Sequence, residues 1–142
     1  MSKPLTIVKS LDHLVLTCAS VPATISWYSR HLGMKAETFT PPSDPTIQRH
    51  ALRFGTQKIN LHQKGKEFEP KAKTALPGTA DVCFLVEEQS KLEDIAQGFQ
   101  KEGVEVLEGA KVVSRTGAHG QLRSIYVRDP DGNLVELSQY VD

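Results

Sequence analysis

The chain repeats itself. An apolar, strand-like run LDHLVLTC (11–18) leads into Ser20-Val21-Pro22, which joins a residue suited to capping a helix with a proline suited to its first turn. Ile25, Tyr28 and Leu32 then recur at i, i+3 and i+7, one face of a helix, and Gly33 supplies the stop. The second half follows the same order. ADVCFLVE (80–87) is strand-like, Ser90 is the expected cap, Leu92, Ile95 and Phe99 form the helix face, and Gly103 stops it. Residues 25, 28 and 32 map onto 92, 95 and 99 by one constant shift of 67 positions in 142. Three matches in register, capped at both ends, point to an internal duplication.

Short strand candidates follow each helix. In the first half they are MKAETFT (34–40), RHALRFG (49–55) and QKINLHQ (57–63). In the second they are VEVLE (104–108), SIYVRD (124–129) and NLVELSQY (133–140). Phe54-Gly55-Thr56-Gln57 and Asp129-Pro130-Asp131-Gly132-Asn133 carry turn chemistry for joining neighbouring strands. The expected fold is therefore α+β, with two tandem βαβββ modules building a cup-shaped mixed sheet. One domain spans 1–142, with module one at about 8–63, a linker rich in Lys, Pro and Gly at 64–78, and module two at about 79–141. Ser114 to Gln121, with Gly117 and Gly120, is expected to be a polar loop that closes over a site.

Strand phase sets the direction of the polar side chains. If Leu14, Leu16 and Cys18 face the helix, His13, Val15 and Thr17 lie opposite. Ile59 and Leu61 turn Asn60 and His62 the other way. Val82, Phe84 and Val86 leave Asp81 opposite, and Val135 and Leu137 leave Glu136 and Ser138 opposite. The strongly polar mid-strand groups thus gather on the face that no helix covers. Imidazole and carboxylate on rigid strands suit divalent ions such as Zn, Ni, Co, Mn and Fe. The ligands expected are His13, His62 and Glu136, with Glu136 also the group that moves a proton. Two histidines with one carboxylate leave open positions for two substrate oxygens.

The remaining polar residues have simpler readings. His31 sits near a helix end, where a cation suits the dipole, and His50 is expected to be exposed. His119 belongs to a solvated turn, and Lys64, Lys66, Lys71 and Lys73 to a solvated linker. Cys18 and Cys83 lie in apolar runs and are expected in the core, unpaired. Seventeen basic residues balance seventeen acidic ones, which removes the electrostatic footprint of a nucleic-acid or anionic-membrane binder. No window is apolar enough to cross a bilayer, and nothing marks the chain for export, so a cytoplasmic protein is expected.

LDHLVLTCASVPATISWYSRHLGM and SIYVRDPDGNLVELSQY resemble the opening and closing motifs of the vicinal-oxygen-chelate superfamily. That superfamily includes glyoxalases, bleomycin-resistance proteins, fosfomycin-modifying enzymes and extradiol dioxygenases. With RFGTQKINLHQKGKEFEPKA between them, the whole chain is similar to the group called glyoxalase domain-containing protein 5 and its bacterial relatives. The resemblance implies a homodimer of paired modules with a divalent metal in the concave sheet. It matches His13 to the first-strand ligand and Glu136 to the last-strand ligand. Where glyoxalase I has Glu or Gln in the fourth strand this chain has Asn60. Where it has His opening the second module this chain has Asp81. His62 or Asp81 is left to complete the set. The function implied is isomerase or lyase chemistry on a small oxygen-rich substrate. The alternatives are Fe(II) extradiol ring opening and metal-free sequestration, the last disfavoured by an aromatic content of 6%.

Overall fold

Ser20 begins the first helix as its chemistry predicts. Its Oγ accepts the Ala23 N–H at 3.2 Å, Pro22 occupies the first turn, and Gly33 ends the helix in the left-handed conformation at φ 67°. In the computed structural model, which describes residues 2–141, this helix α1 spans Val21–Leu32. It follows β1 (His13–Cys18) and precedes β2 (Lys35–Phe39), β3 (Arg49–Phe54) and β4 (Gln57–Gln63). The second half supplies β5 (Asp81–Leu85), α2 (Leu92–Lys101), β6 (Val113–Gly117), β7 (Gly120–Arg128) and β8 (Leu134–Tyr140). Two four-stranded mixed sheets result, ordered β1-β4-β3-β2 and β5-β8-β7-β6. In each, the first strand pairs in parallel with the last, and the other pairs are antiparallel. The fold is α+β, built from two equivalent βαβββ units. No helix among the described residues is long and apolar enough to cross a membrane.

One continuous core joins the units. Leu16, Cys18, Ile59, Leu61, Val135 and Leu137 are buried on the helix-covered faces, and Tyr28, Leu92 and Phe99 are the most buried of the expected helix positions. Ile25, Leu32 and Ile95 are only half-buried against the same cluster, while Val21, Thr24 and Ala96 are buried. Trp27 stacks on Phe99 at 6.1 Å, and Phe84 meets Tyr28 and Phe54 edge-on, so aromatic side chains from both units interlock.

The structure departs from the sequence expectations at four places. Ser90 does not cap α2. The helix starts after Lys91 with no side-chain cap, and Glu93 and Asp94 supply the negative charge its first turn favours. Residues 104–108 are not a strand. Leu107 donates one hydrogen bond to Tyr126 O, and then Glu108, Gly109 and Ala110 all take positive φ, turning the chain away. The edge of β7 is taken instead by residues 113–117, so Ser114–Gln121 forms most of the β6–β7 hairpin rather than a mobile loop. Finally, Cys83 is exposed on the open face while Cys18 is buried. Asp81, Cys83 and Leu85 share that face by strand alternation.

Candidate functional site

The register places the site residues in two equivalent pairs. In the first sheet His13 lies beside Lys58, and Asn60 is one pleat further along β4. In the second, Asp81 lies beside Leu134, and Glu136 is one pleat further along β8. His13 therefore corresponds to Asp81, and Asn60 to Glu136. His62 is a further pleat along, where the second unit has Ser138.

Each pair has its own support. His13 Nδ1 donates to Asp12 Oδ1 at 2.7 Å, which leaves Nε2 as the free ring nitrogen, and the bond and charge of His13 hold the Asp12 carboxyl below its ordinary value. A carboxylate on one nitrogen is how metal-binding histidines are usually oriented. Asn60 Oδ1 is buried without a hydrogen-bond partner. Glu136 Oε2 accepts the Ser124 hydroxyl at 2.6 Å and the Ser138 hydroxyl at 3.1 Å, and both serines are fully buried. Tyr126 pairs with Glu136 across the β7–β8 ladder and receives a 2.9 Å hydrogen bond from Arg115 Nε. Burial raises the Tyr126 hydroxyl above its ordinary value against the pull of Arg115, and the Glu136 charge adds to the rise. Cys83 Sγ lies 3.2 Å from Ser138 Oγ, and burial raises its thiol, so it is no activated nucleophile. Ser124, Tyr126 and Arg115 were not singled out from the sequence. Alternation along SIYVRD, applied as it was to β8, places Ser124 and Tyr126 on the Glu136 face.

Two clefts open here. One of about 540 Å³ is lined by Val15, Thr17, His62, Lys71, Thr74 and Asp81, between β1 and the connection at 64–80. A smaller one of about 340 Å³ is lined by Asp81, Glu108, Arg115, Tyr126, Arg128 and Glu136. Asp81 borders both. His62 packs edge-on against Phe68 at 5.5 Å, and burial, then the Arg49 charge, lowers its pKa. His62 therefore resists protonation in the folded chain more than in the unfolded one, whose value is about 6.5. Stability should be fully present above that pH and fall as the pH drops through the lowered folded value. Urea midpoints measured from pH 7.5 to 5 should fall less for His62→Gln than for the parent chain, and parallel curves would reject this.

Among the described residues of one chain, no three His, Cys, Asp or Glu side chains stand close enough to share a metal ion. His13 and His62 belong to one sheet and Glu136 to the other. The donor chemistry still fits a borderline divalent ion. It consists of an imidazole nitrogen, two carboxylates and a carboxamide oxygen, delivered as two half-sets.

Paired βαβββ units, with His13 on the open face of one sheet and Glu136 on that of the other, are the architecture of a vicinal-oxygen-chelate protein. The chain belongs to the Glyoxalase/Bleomycin resistance protein/Dioxygenase superfamily, whose model matches residues 10–137. It is similar to the glyoxalase domain-containing protein RDO1 of Mycosarcoma maydis, 52% identical over 95% of this chain and 70% of that protein. It is also similar to virulence protein STM3117 of Salmonella typhimurium, 47% identical over 95% of this chain and 87% of that protein. The crystal structure of STM3117 matches with a TM-score of 0.84 over 96% of this chain and 100% of that one. Lactoylglutathione lyase from Agrobacterium tumefaciens shares the fold, at 17% identity and a TM-score of 0.64 over 94% of this chain and 95% of that one.

Proposed function

We propose a metal-dependent enzyme acting on a small oxygen-rich substrate, with isomerase or lyase chemistry at a site shared between two copies of the chain. The observation that carries this is the pairing of half-sites. His13 with Asn60 and Asp81 with Glu136 occupy equivalent register positions, yet neither pair alone has the three protein ligands that a catalytic metal usually takes. A two-fold axis would bring the first pair of one copy to the second pair of the other, and would do so twice. Apolar side chains beside the half-sites support such a contact. Leu11, Val15 and Leu85 are 73%, 43% and 61% exposed.

His13, Asp81 and Glu136 are the ligands in this reading, with Asn60 beside them. The ion would act as a Lewis acid toward two neighbouring substrate oxygens. Glu136 takes a proton from a hydroxyl-bearing carbon next to a carbonyl and returns it to the carbonyl carbon. The hydroxyl proton passes to the former carbonyl oxygen, so that hydroxyl and carbonyl exchange places. Ser124 and Ser138 fix the carboxylate for that transfer, and Tyr126, kept protonated, donates to a substrate oxygen. His62 stands one pleat away and lines the cleft.

Calorimetric titration with Zn, Ni and Mn, and with Fe(II) without oxygen, tests this. One ion should bind per chain, and the binding should weaken below about pH 6, because a histidine must be neutral to bind metal. Asp81→Asn should lose most of the affinity, while His62→Ala should keep it. The opposite pattern would return His62 to the ligand set. Oxygen consumption by the Fe(II) form with a catechol would move the reaction to ring opening. Failure of all four ions would leave a sequestering protein.

A further inference from the structure

The cation that the proposed chemistry leaves unused is Arg49. It has no ion pair among the described residues, and its Nε is buried without a hydrogen-bond partner. Its guanidinium lies 4.3 Å from the centroid of Phe68, in the connection that follows β4. β3 pairs His50 with Leu61, so Arg49 falls beside His62, which in turn lies beside Thr17 on β1. Thr17, His62 and Arg49 thus form one row across the open face of the first sheet. Thr17 and His62 line the larger cleft. Asn60, one pleat nearer His13, has its buried oxygen unpartnered.

A purely structural role accounts poorly for Arg49. Stacking on an aromatic ring is a modest gain, and a buried guanidinium nitrogen left without an acceptor costs more than the stacking returns. The neighbouring acids are already engaged. Glu67 accepts from Gly65 N and pairs with Lys71, Glu69 also pairs with Lys71, and Glu37 pairs with Arg53. What this row lacks is an acceptor, and a planar guanidinium best matches a two-oxygen anion.

We infer that Arg49, with Thr17 and His62 beside it, binds an oxyanion group of the substrate, a carboxylate by preference, and so selects an anionic ligand for the cup. Phe68 packs against the guanidinium, and the cleft in front of His62 takes the body of the molecule. The inference rests on reading the cup as the substrate site, and not on the metal.

Calorimetry in low-chloride buffer at pH 7, with malonate and inorganic phosphate as probes, reads this out. Saturable binding is expected for malonate in the wild-type chain. The affinity should fall at least tenfold in Arg49→Met, and less in Arg49→Lys, which keeps the charge but loses the fork. Binding of phosphate more tightly than malonate would assign a phosphoryl group to the same site. Zinc titration of Arg49→Met should be unchanged, which also shows that the variant is folded. Anion binding without any metal uptake would defeat the shared metal site and leave Arg49 its role. No saturable binding of either probe, or equal affinity in wild type and Arg49→Met, would overturn the inference.

Discussion

Asp129→Ala should destabilise the chain by at least about 3 kcal/mol, since it leaves three buried donors unpaired and each costs about 1–3 kcal/mol. The carboxylate is 5% exposed and accepts four hydrogen bonds. Tyr28 Oη and Asn133 Nδ2 each reach Oδ2 at 2.8 Å, and the Asp131 and Asn133 amides reach Oδ1 at 2.9 and 3.0 Å. Burial, with the charge of Asp129 beside it, raises the Tyr28 hydroxyl far above its ordinary value, so it stays a donor at any usable pH. The same turn ties other segments together. Asn133 Oδ1 accepts from Ala80 N and Asp131 Oδ1 from Ala19 N, so the ends of β1 and β5 hang on it. The approach is close enough that a Cβ on Gly78 would come within 2.4 Å of the Asp131 carbonyl oxygen.

Removing Asp129 strands a fully buried phenol in the core between the two units, and the loss is large against a typical total stability of about 5–15 kcal/mol. Urea unfolding measures it. Asp129→Asn keeps an acceptor for the backbone amides and should lose less. The double variant Tyr28→Phe, Asp129→Ala should be less destabilised than the sum of the singles, because the phenol no longer needs a partner. A loss under about 1 kcal/mol for Asp129→Ala would show that water replaces the carboxylate.

The sequence showed Asp129-Pro130-Asp131-Gly132-Asn133 only as a turn, since the partner of its first carboxylate is Tyr28, 101 residues away. Local chemistry reports that a chain turns, not what the turn grips. Strand phase was legible wherever one face is apolar throughout. Ile59 with Leu61 and Val135 with Leu137 set the directions of Asn60, His62, Glu136 and Ser138 correctly. The same rule applied to β5 would have put Cys83 beside Asp81, but a thiol in an apolar run reads as core. VEVLE alternates as a strand should, and fails because three successive left-handed residues and the β6–β7 hairpin take its place. Arg49 shares its parity with Ala51 and Arg53, yet only the ring of Phe68 marks it out, and that contact is tertiary.

Mixing two inactive variants should restore metal sites. In the proposed shared site His13 comes from one copy and Glu136 from the other, so His13→Ala and Glu136→Gln should each abolish most metal binding while leaving the fold intact. Both side chains stand on the open face, where removing them opens no core cavity. When the two variants are mixed and exchange subunits, a mixed dimer gathers both substitutions in one site and leaves the other intact. Random pairing makes about half the dimers mixed, so about a quarter of all sites should bind again. A site closed within one chain predicts no recovery at any mixing ratio. Sedimentation of the wild-type chain at micromolar concentration should give twice the monomer mass, because the proposed site takes ligands from both copies. Metal binding by a clean monomer would end the shared-site reading, as would a mixture as inert as its parents despite proven subunit exchange.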